Sequence, residues 1–164
     1  MKAYQDASLA PVRRAKALLE EMTLAEKIGQ LNQRLYGFRI YERKCVNGED
    51  TIELSEEFCQ EVEKYSGLGV LYGLYRADPW ADKNYETGLT GVLSKKAYNQ
   101  VQRYVLEHSR LGIPVMMSSE CPHGHQALDG YLLPVNLLAG ATFDPAMVRA
   151  AYRVSGRQLQ NMGA

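Results

Sequence analysis

The stretch GLGVLYGLYRADPW, residues 67–80, is the part of the sequence that most clearly indicates the fold. Its first half is a compact apolar run between glycines, which predicts a short buried strand. Its second half, residues 76–80, is a polar loop that follows the strand directly. A buried strand that leads straight into a polar loop is typical of parallel α/β structure, and the rest of the chain is interpreted outward from it.

The sequence after this stretch repeats the same order of elements. Apolar residues at helical spacing predict a helix over 94–110, and Val-Met-Met at 115–117 predicts a second buried strand. A polar loop covers 118–130, and 137–142 is predicted as a third strand. Asp144 before a proline predicts the start of another helix. Because functional residues in such folds follow the strands, the loops after the first two strands are the candidate site.

The sequence before the stretch predicts two helices, a hairpin and a third helix. Residues 8–35 hold two helical patterns, and Thr23-x-x-Glu26 is a capping box that begins the second. We predict a β-hairpin excursion near residues 36–54, because Asn47-Gly48 lies between two β-like runs. Ser55 then begins a short helix that ends near residue 65.

The composition narrows the class of protein. The 164 residues carry 19 basic and 19 acidic side chains, so the formal net charge is zero. That balance argues against binding to nucleic acid or to an anionic membrane, which needs clustered positive charge. The N-terminal residues contain no apolar signal sequence, so we expect a cytoplasmic protein. The three cysteines are far apart and odd in number, which predicts reduced thiols.

Two clusters of polar residues in the candidate loops could bind a ligand. In SSECPHGH, residues 118–125, the carboxylate of Glu120 could accept two sugar hydroxyls, and His123 could donate to substrate or to the backbone. In the other loop, Trp80 could stack on a sugar face beside Arg76. The structural alternatives are a solvated Glu120, an Arg76–Asp78 ion pair and an indole packed against the rim.

Two other kinds of chemistry are considered for the 118–125 loop, zinc binding and nucleophilic catalysis by a serine. Cys121, His123 and His125 are residue types that bind zinc, but a fourth ligand would have to come from elsewhere in the chain. A nucleophilic serine finds no support, because the loop lacks the G-x-S-x-G motif. We expect no metal and no cofactor.

Several motifs in a fixed order resemble the N-terminal part of glycoside hydrolase family 3, the β-glucosidase and β-xylosidase family. The likeness covers almost the whole chain, and the order of the motifs makes it more specific than any one of them. The matching segments are MTLAEKIGQLNQ at 22–33, LYGLYRADPW at 71–80, SRLGIP at 109–114, ECPHGH at 120–125, and Pro134 with ATFDP at 141–145.

The resemblance implies the fold and the chemistry. It implies that residues 1–164 are a truncated N-terminal part of a (β/α)8 TIM-type barrel, whose full length is about 250 residues. It also implies retaining hydrolysis of β-linked glucosides or xylosides by two carboxyl groups. Glu120 stands where many members have Asp in a residue that contacts the sugar, and His123-Gly124 matches the pair that supports this loop. Arg76 and Trp80 complete the predicted sugar site.

The resemblance does not extend to the catalytic residues. The nucleophile, the acid/base residue and the Lys-His pair of the family lie further along a full-length protein and have no counterpart here, so no catalytic residue is assigned. We therefore expect a fragment that contributes part of the sugar site, with the rest of the barrel or a second copy as its partner. The alternatives are a non-catalytic carbohydrate-binding or interaction module, and a protein with a zinc-binding loop.

Overall fold

The computed structural model describes residues 2–163, which form six α-helices and four β-strands. Two single-turn 3₁₀ helices, at Ala3–Gln5 and Gly37–Arg39, add to these elements. In chain order the elements are α1 (Pro11–Glu21), α2 (Leu24–Leu31), β1 (Tyr41–Val46), β2 (Glu49–Leu54), α3 (Glu56–Tyr65), β3 (Val70–Tyr72), α4 (Gly91–Glu107), β4 (Met116–Ser118), α5 (Asn136–Gly140) and α6 (Pro145–Met162).

A parallel β-α-β unit lies at the centre of the chain. Strands β3 and β4 pair in parallel, with Tyr72 opposite Ser118, and α4 connects them. A third segment runs parallel on the other side of β3, because Tyr36 forms a parallel bridge to Tyr72. The three segments therefore end at one common edge, and the loops that follow them are neighbours. This arrangement positions the candidate site.

The predicted hairpin is present as β1 and β2. Its turn is formed by Asn47 and Gly48, both with positive φ (53° and 81°), as the favoured two-residue turn between antiparallel strands requires. Residues 37–39 were expected to belong to the β-like part and instead form a 3₁₀ turn. Gly37 in this turn lies so close to the backbone of Leu74 that a Cβ would overlap it.

The core lies between the parallel segments and the helices that cover them. Helix α4 turns Ala97, Val101 and Val105 inward, and all three are fully buried. Helix α3 contributes Phe58 and Val62 to the same cluster. Burying a valine or phenylalanine side chain stabilises the fold by about 1.5–3 kcal/mol, relative to its exposed state. The core therefore holds the β-α-β unit rigid beneath its loops.

Residues 137–142 do not form the predicted third strand. They belong to the short helix α5 and its end, and Leu137 and Leu138 are largely exposed rather than buried. A strand needs a neighbour to accept its backbone hydrogen bonds, and no described strand lies beside this segment. Local bonds such as Ala139 N to the Val135 carbonyl satisfy the backbone instead.

The sheets within residues 2–163 are small. Each has two strands, and no closed barrel forms in this part of the chain. The parallel order of the central unit is compatible with one side of a barrel, and the barrel itself stays a prediction. Within the same residues, none of the helices combines the length and the apolar character that a membrane crossing needs.

Candidate functional site

The loops that follow β3 and β4 contact each other at the common edge of the parallel segments. Arg76 forms an antiparallel bridge to Ala127, and the Ala77 amide donates to the Gln126 carbonyl at 3.0 Å. Parallel strands bring their carboxyl ends together, so side chains 44 residues apart in sequence become neighbours. The two candidate loops predicted from the sequence therefore form one surface.

Arg76 is the central side chain of this surface. Its Nε donates to Asp78 Oδ2 at 2.8 Å, and its Nη1 donates to Glu120 Oε2 at 3.0 Å. Nη1 also donates to the Tyr72 hydroxyl, and Nη2 lies 2.6 Å from Asp78 Oδ2. A guanidinium has five N–H donors, so these contacts leave few of them for a ligand. The main role of Arg76 in this cluster is therefore to orient the neighbouring side chains, since few of its N–H donors remain for a ligand.

Asp78 forms a structural ion pair with Arg76. The hydrogen bond from Arg76 holds the pKa of the Asp78 carboxyl below its usual value, which keeps the group charged. Its second oxygen accepts from the Ala81 amide at 2.9 Å and so anchors the loop. The structure thus contains the Arg76–Asp78 ion pair that the sequence analysis gave as the structural alternative.

Glu120 combines a fixed position with an accessible carboxylate. Arg76 holds one of its oxygens, yet 53% of the side chain is exposed. A carboxylate can accept hydrogen bonds from two neighbouring hydroxyl groups. Glu120 is therefore placed to bind a polyol from the solvent side.

Tyr72 is part of the site although the sequence indicated only a strand residue. Burial raises the pKa of its hydroxyl. The same hydroxyl accepts from Arg76. Tyr72 thus helps to hold the guanidinium of Arg76, which in turn holds Glu120. The one signal in the sequence was its place at the carboxyl end of the strand, next to the candidate loop.

Aromatic side chains border the charged cluster. The Arg76 guanidinium lies 4.6 Å from the centroid of the Trp80 ring. Tyr36 and Phe38 contact the same indole edge-to-face, with centroid distances of 4.9 and 5.0 Å. Trp80 still has 47% of its surface exposed. The indole therefore packs against Tyr36 and Phe38 and is still accessible to solvent.

His123 lies apart from the three other predicted residues. Its Nε2 is 3.0 Å from the amide nitrogen of Gln126. It lines a groove with Asp78 and Leu132 rather than the surface around Arg76. The structure therefore brings Arg76, Trp80 and Glu120 together, and places His123 in an adjoining groove.

The zinc hypothesis for Cys121, His123 and His125 is not supported by the geometry. His125 is fully buried, and its Nε2 lies 3.2 Å from the Met162 sulfur of α6. Within residues 2–163, no three His, Cys, Asp or Glu side chains are grouped to hold a metal ion. His125 points into the core, and this separates it from Cys121 and His123 although the three residues are close in sequence.

Acidification is expected to destabilise the fold through His125. Burial lowers the pKa of this imidazole below 6.5, so the neutral form is favoured in the folded state. Its contribution to stability is complete above pH 6.5 and is lost as the pH falls through the lowered pKa, by at most about 1.4 kcal/mol per pH unit. Urea unfolding of the wild type and of His125→Leu, between about pH 7.5 and pH 5, measures this slope.

The variant should lose part of the pH dependence, whereas His108→Gln should keep it because His108 is exposed. An unchanged slope in His125→Leu would show that other groups cause the loss of stability.

Comparison with known proteins supports a glycosidase-like relationship. No protein-family profile matches the sequence. A protein of Formosa agariphila, named "Putative beta-xylosidase", is 29% identical over 162 residues. The match covers 99% of this chain and 19% of that protein, so the chain spans about a fifth of the length of this curated relative. The chain is thus similar to part of a larger protein whose name is that of a glycosidase.

Proposed function

We propose that this chain forms part of the sugar-binding site of a retaining β-glycosidase of glycoside hydrolase family 3. The observation that carries the proposal is the cluster in which Arg76 holds the exposed carboxylate of Glu120 beside the half-exposed indole of Trp80. A fixed carboxylate next to an accessible aromatic ring suits a sugar, which has hydroxyls at its edge and C–H groups on its faces.

A β-linked xyloside is the substrate class that we favour, with β-glucosides as the alternative. The Formosa agariphila relative is named for xylosidase activity and matches this chain across the candidate loops. The sequence motifs resemble a family that includes both activities. Glu120 would accept two adjacent hydroxyls of the sugar, and Trp80 would border the ring.

We infer that the catalytic carboxyl groups lie outside these residues. Retaining hydrolysis needs a nucleophile and a general acid about 5 Å apart, and the acid needs a raised pKa. Asp78 and Glu120 both pair with one guanidinium, and the hydrogen bond from Arg76 lowers the pKa of the Asp78 carboxyl. Among the carboxyl groups described, every resolved pKa shift is downward, at Asp6, Glu26, Glu42, Glu61 and Asp78.

Exposed apolar side chains favour a partner surface beyond residues 2–163. Leu24 and Leu31 project from α2, and Leu137 and Phe143 project from the α5 region. Large exposed apolar patches are typical of interfaces. We propose that further segments of a barrel cover them, with self-association of the chain as the alternative.

A non-catalytic sugar-binding module is the second candidate function. The ion pairs of Arg76 with both site carboxylates disfavour catalysis, and the same ion pairs favour a module that only binds a sugar. The two candidates differ in one property, since only the glycosidase becomes active when the missing carboxyl groups are supplied.

Glu120→Gln is expected to weaken the binding of methyl β-xyloside about 10- to 100-fold, since hydrogen bonds to charged groups contribute about 1.5–3 kcal/mol. The variant should unfold like the wild type, because the side chain is mostly exposed. Trp80 is the sole tryptophan of the chain and lies in the site, so its fluorescence reports binding directly.

Glu107→Gln on α4 is the matched control and should bind as the wild type does. Equal affinity of Glu120→Gln and wild type, or a wild type that does not bind the glycoside, would contradict the proposed site. Incubation with an aryl β-xyloside tests the second part of the proposal. Clear turnover by the pure chain would show that catalytic residues are present after all.

A further inference from the structure

We propose that Lys83 is a reactive amine that condenses with an aldehyde, such as the open-chain form of a reducing sugar. The modified atom is Nζ of the side chain. Lys83 belongs to none of the motifs that carry the family resemblance, and the inference does not rest on the proposed function. It follows from the way in which the loop after β3 places this lysine against the β-hairpin.

Lys83 is half-buried against an aromatic ring of the hairpin. Its Nζ lies 4.5 Å from the centroid of the Tyr41 ring, and Tyr41 on β1 is only 2% exposed. Within residues 2–163, the Lys83 ammonium takes part in none of the ion pairs. The ammonium therefore gives up part of its hydration without gaining a carboxylate partner among the described residues.

The surroundings of Lys83 favour its neutral amine. Burial lowers the pKa of the side chain, because the charged form loses hydration. The negative charges of Glu42 and Asp82 oppose this change, but Glu42 is already paired with Lys44 at 2.9 Å. A larger fraction of Lys83 is therefore neutral than of a fully hydrated lysine at the same pH. The neutral amine is the form that attacks a carbonyl carbon.

The loop around Lys83 is fixed by contacts on both sides. Arg43 of β1 donates to the Tyr85 carbonyl at 2.7 Å, and the Tyr85 hydroxyl donates to the Leu128 carbonyl at 3.1 Å. A Cβ on Gly88 would lie 3.3 Å from the Lys83 Cβ, so the two parts of the loop pack closely. The loop therefore holds the amine in this position before an aldehyde arrives.

The reaction is a condensation that releases water. The Nζ lone pair adds to the aldehyde carbon, and a proton moves from nitrogen to oxygen to give a carbinolamine. Loss of this oxygen as water leaves a C=N bond, so the step needs no oxidant and no reductant. The imine nitrogen stays basic and can carry the positive charge that the Tyr41 ring attracts. Acylation would remove this charge and carbamate formation would reverse it, so an aldehyde suits the surroundings better.

Reductive trapping with glyceraldehyde measures the reaction. Sodium cyanoborohydride reduces each imine to a stable secondary amine, and peptide mass spectrometry gives the initial rate at every lysine. We expect Lys83 to react at least about threefold faster than Lys64 in neutral buffer. Lys64 is the matched control within the same chain, because its Nζ lies 4.8 Å from the Tyr65 ring centroid but its side chain is exposed. Both lysines contact an aromatic ring, so the comparison isolates the effect of burial.

Two further samples test the cause of the preference. Tyr41→Phe keeps the aromatic ring and should keep the faster rate at Lys83, because the Tyr41 hydroxyl is buried without a hydrogen-bond partner among the described residues and takes no part in the reaction. In concentrated urea, Lys83 and Lys64 should react at similar rates, because unfolding hydrates both side chains.

The outcomes either support or overturn the reactive lysine. Equal rates at Lys83 and Lys64 in the folded chain, or a slower rate at Lys83, would overturn it. A preference that persists in urea, or one that is lost in Tyr41→Phe, would also overturn it, since burial against the ring would then not be the cause. None of these results bears on the proposed sugar site, and a chain that binds no xyloside would leave the reactive lysine standing.

Discussion

Replacing Arg76 with methionine is expected to lower the free energy of unfolding by about 1–3 kcal/mol, because removing one partner of a largely buried ion pair leaves the other charge uncompensated. The Arg76 and Asp78 side chains are 14% and 19% exposed. Asp78 would then lie in the loop with its charge opposed only by backbone donors such as the Ala81 amide. Methionine keeps much of the apolar volume, so the loss is mainly electrostatic.

The same substitution is expected to abolish the binding of methyl β-xyloside. Arg76 holds Glu120 through Nη1 and contacts Trp80 with its guanidinium. Without it, the carboxylate and the indole lose their common anchor. The environment of Trp80 should change even without ligand, so its emission spectrum is a direct readout. Urea unfolding followed at this emission gives the free energy of unfolding in the same experiment.

Two variants define the cause of the effect. Arg76→Lys keeps the charge and loses the fork that contacts several partners, so it should recover part of the stability and little of the binding. Lys96→Met removes an exposed ion pair with Glu49 and should change stability by less than about 1 kcal/mol. If Arg76→Met unfolds like the wild type, the ion pair does not stabilise the loop.

Gly124→Ala is expected to destabilise the fold by about 2–5 kcal/mol, the sum of a left-handed backbone and an overpacked contact. Gly124 has φ of 89°, and a Cβ there would overlap the carbonyl oxygen of Tyr131. The loop would have to move away from this backbone. Because His123 and His125 flank the glycine, both the adjoining groove and the buried contact with α6 should be disturbed.

Gly48→Ala is the matched control for this substitution. Gly48 has a similar φ of 81°, but a Cβ at this position of the hairpin turn would meet no other atom within 4 Å. The substitution should cost about 1 kcal/mol, which is the backbone contribution alone. Chemical denaturation of both variants separates the two effects. Equal losses of stability would show that the close approach at Gly124 is relieved without cost.

Local sequence signals correctly predicted where several helices begin, although α4 occupies Gly91–Glu107 instead of the predicted 94–110. Helix α2 begins with the capping box of Thr23 and Glu26, and Asp144 caps α6 by accepting from the Met147 amide. Asn47-Gly48 forms the hairpin turn. Each of these signals acts through hydrogen bonds or backbone angles within a few residues, so neighbouring residues are enough to specify it.

The errors occurred where distant parts of the chain decide the conformation. Residues 137–142 carry an apolar pattern that suits a strand, yet they form a helix, because a strand needs a paired neighbour and a helix does not. The zinc-binding loop, which was only an alternative, is disfavoured for a related reason. Residue types and spacing do not show that His125 turns into the core to contact α6.

The candidate site was predicted in part. The rule that functional loops follow parallel strands led to Arg76, Trp80 and Glu120, which the structure brings together. Tyr72 and Tyr36 had no such signal, because an aromatic residue at a strand end is usually a packing residue. Their places in the cluster depend on the pairing of segments that are distant in sequence.

The sequence by itself determined most of the local elements, the order of helices and strands in the central unit, and the two loops that carry the polar side chains. Only the tertiary structure decided which of those side chains meet. Capping and turn formation depend on atoms a few residues apart, whereas the cluster around Arg76 depends on the parallel pairing of β3 with β4. That pairing brings Glu120 to Arg76 across 44 residues of chain, at a position that no local interaction specifies.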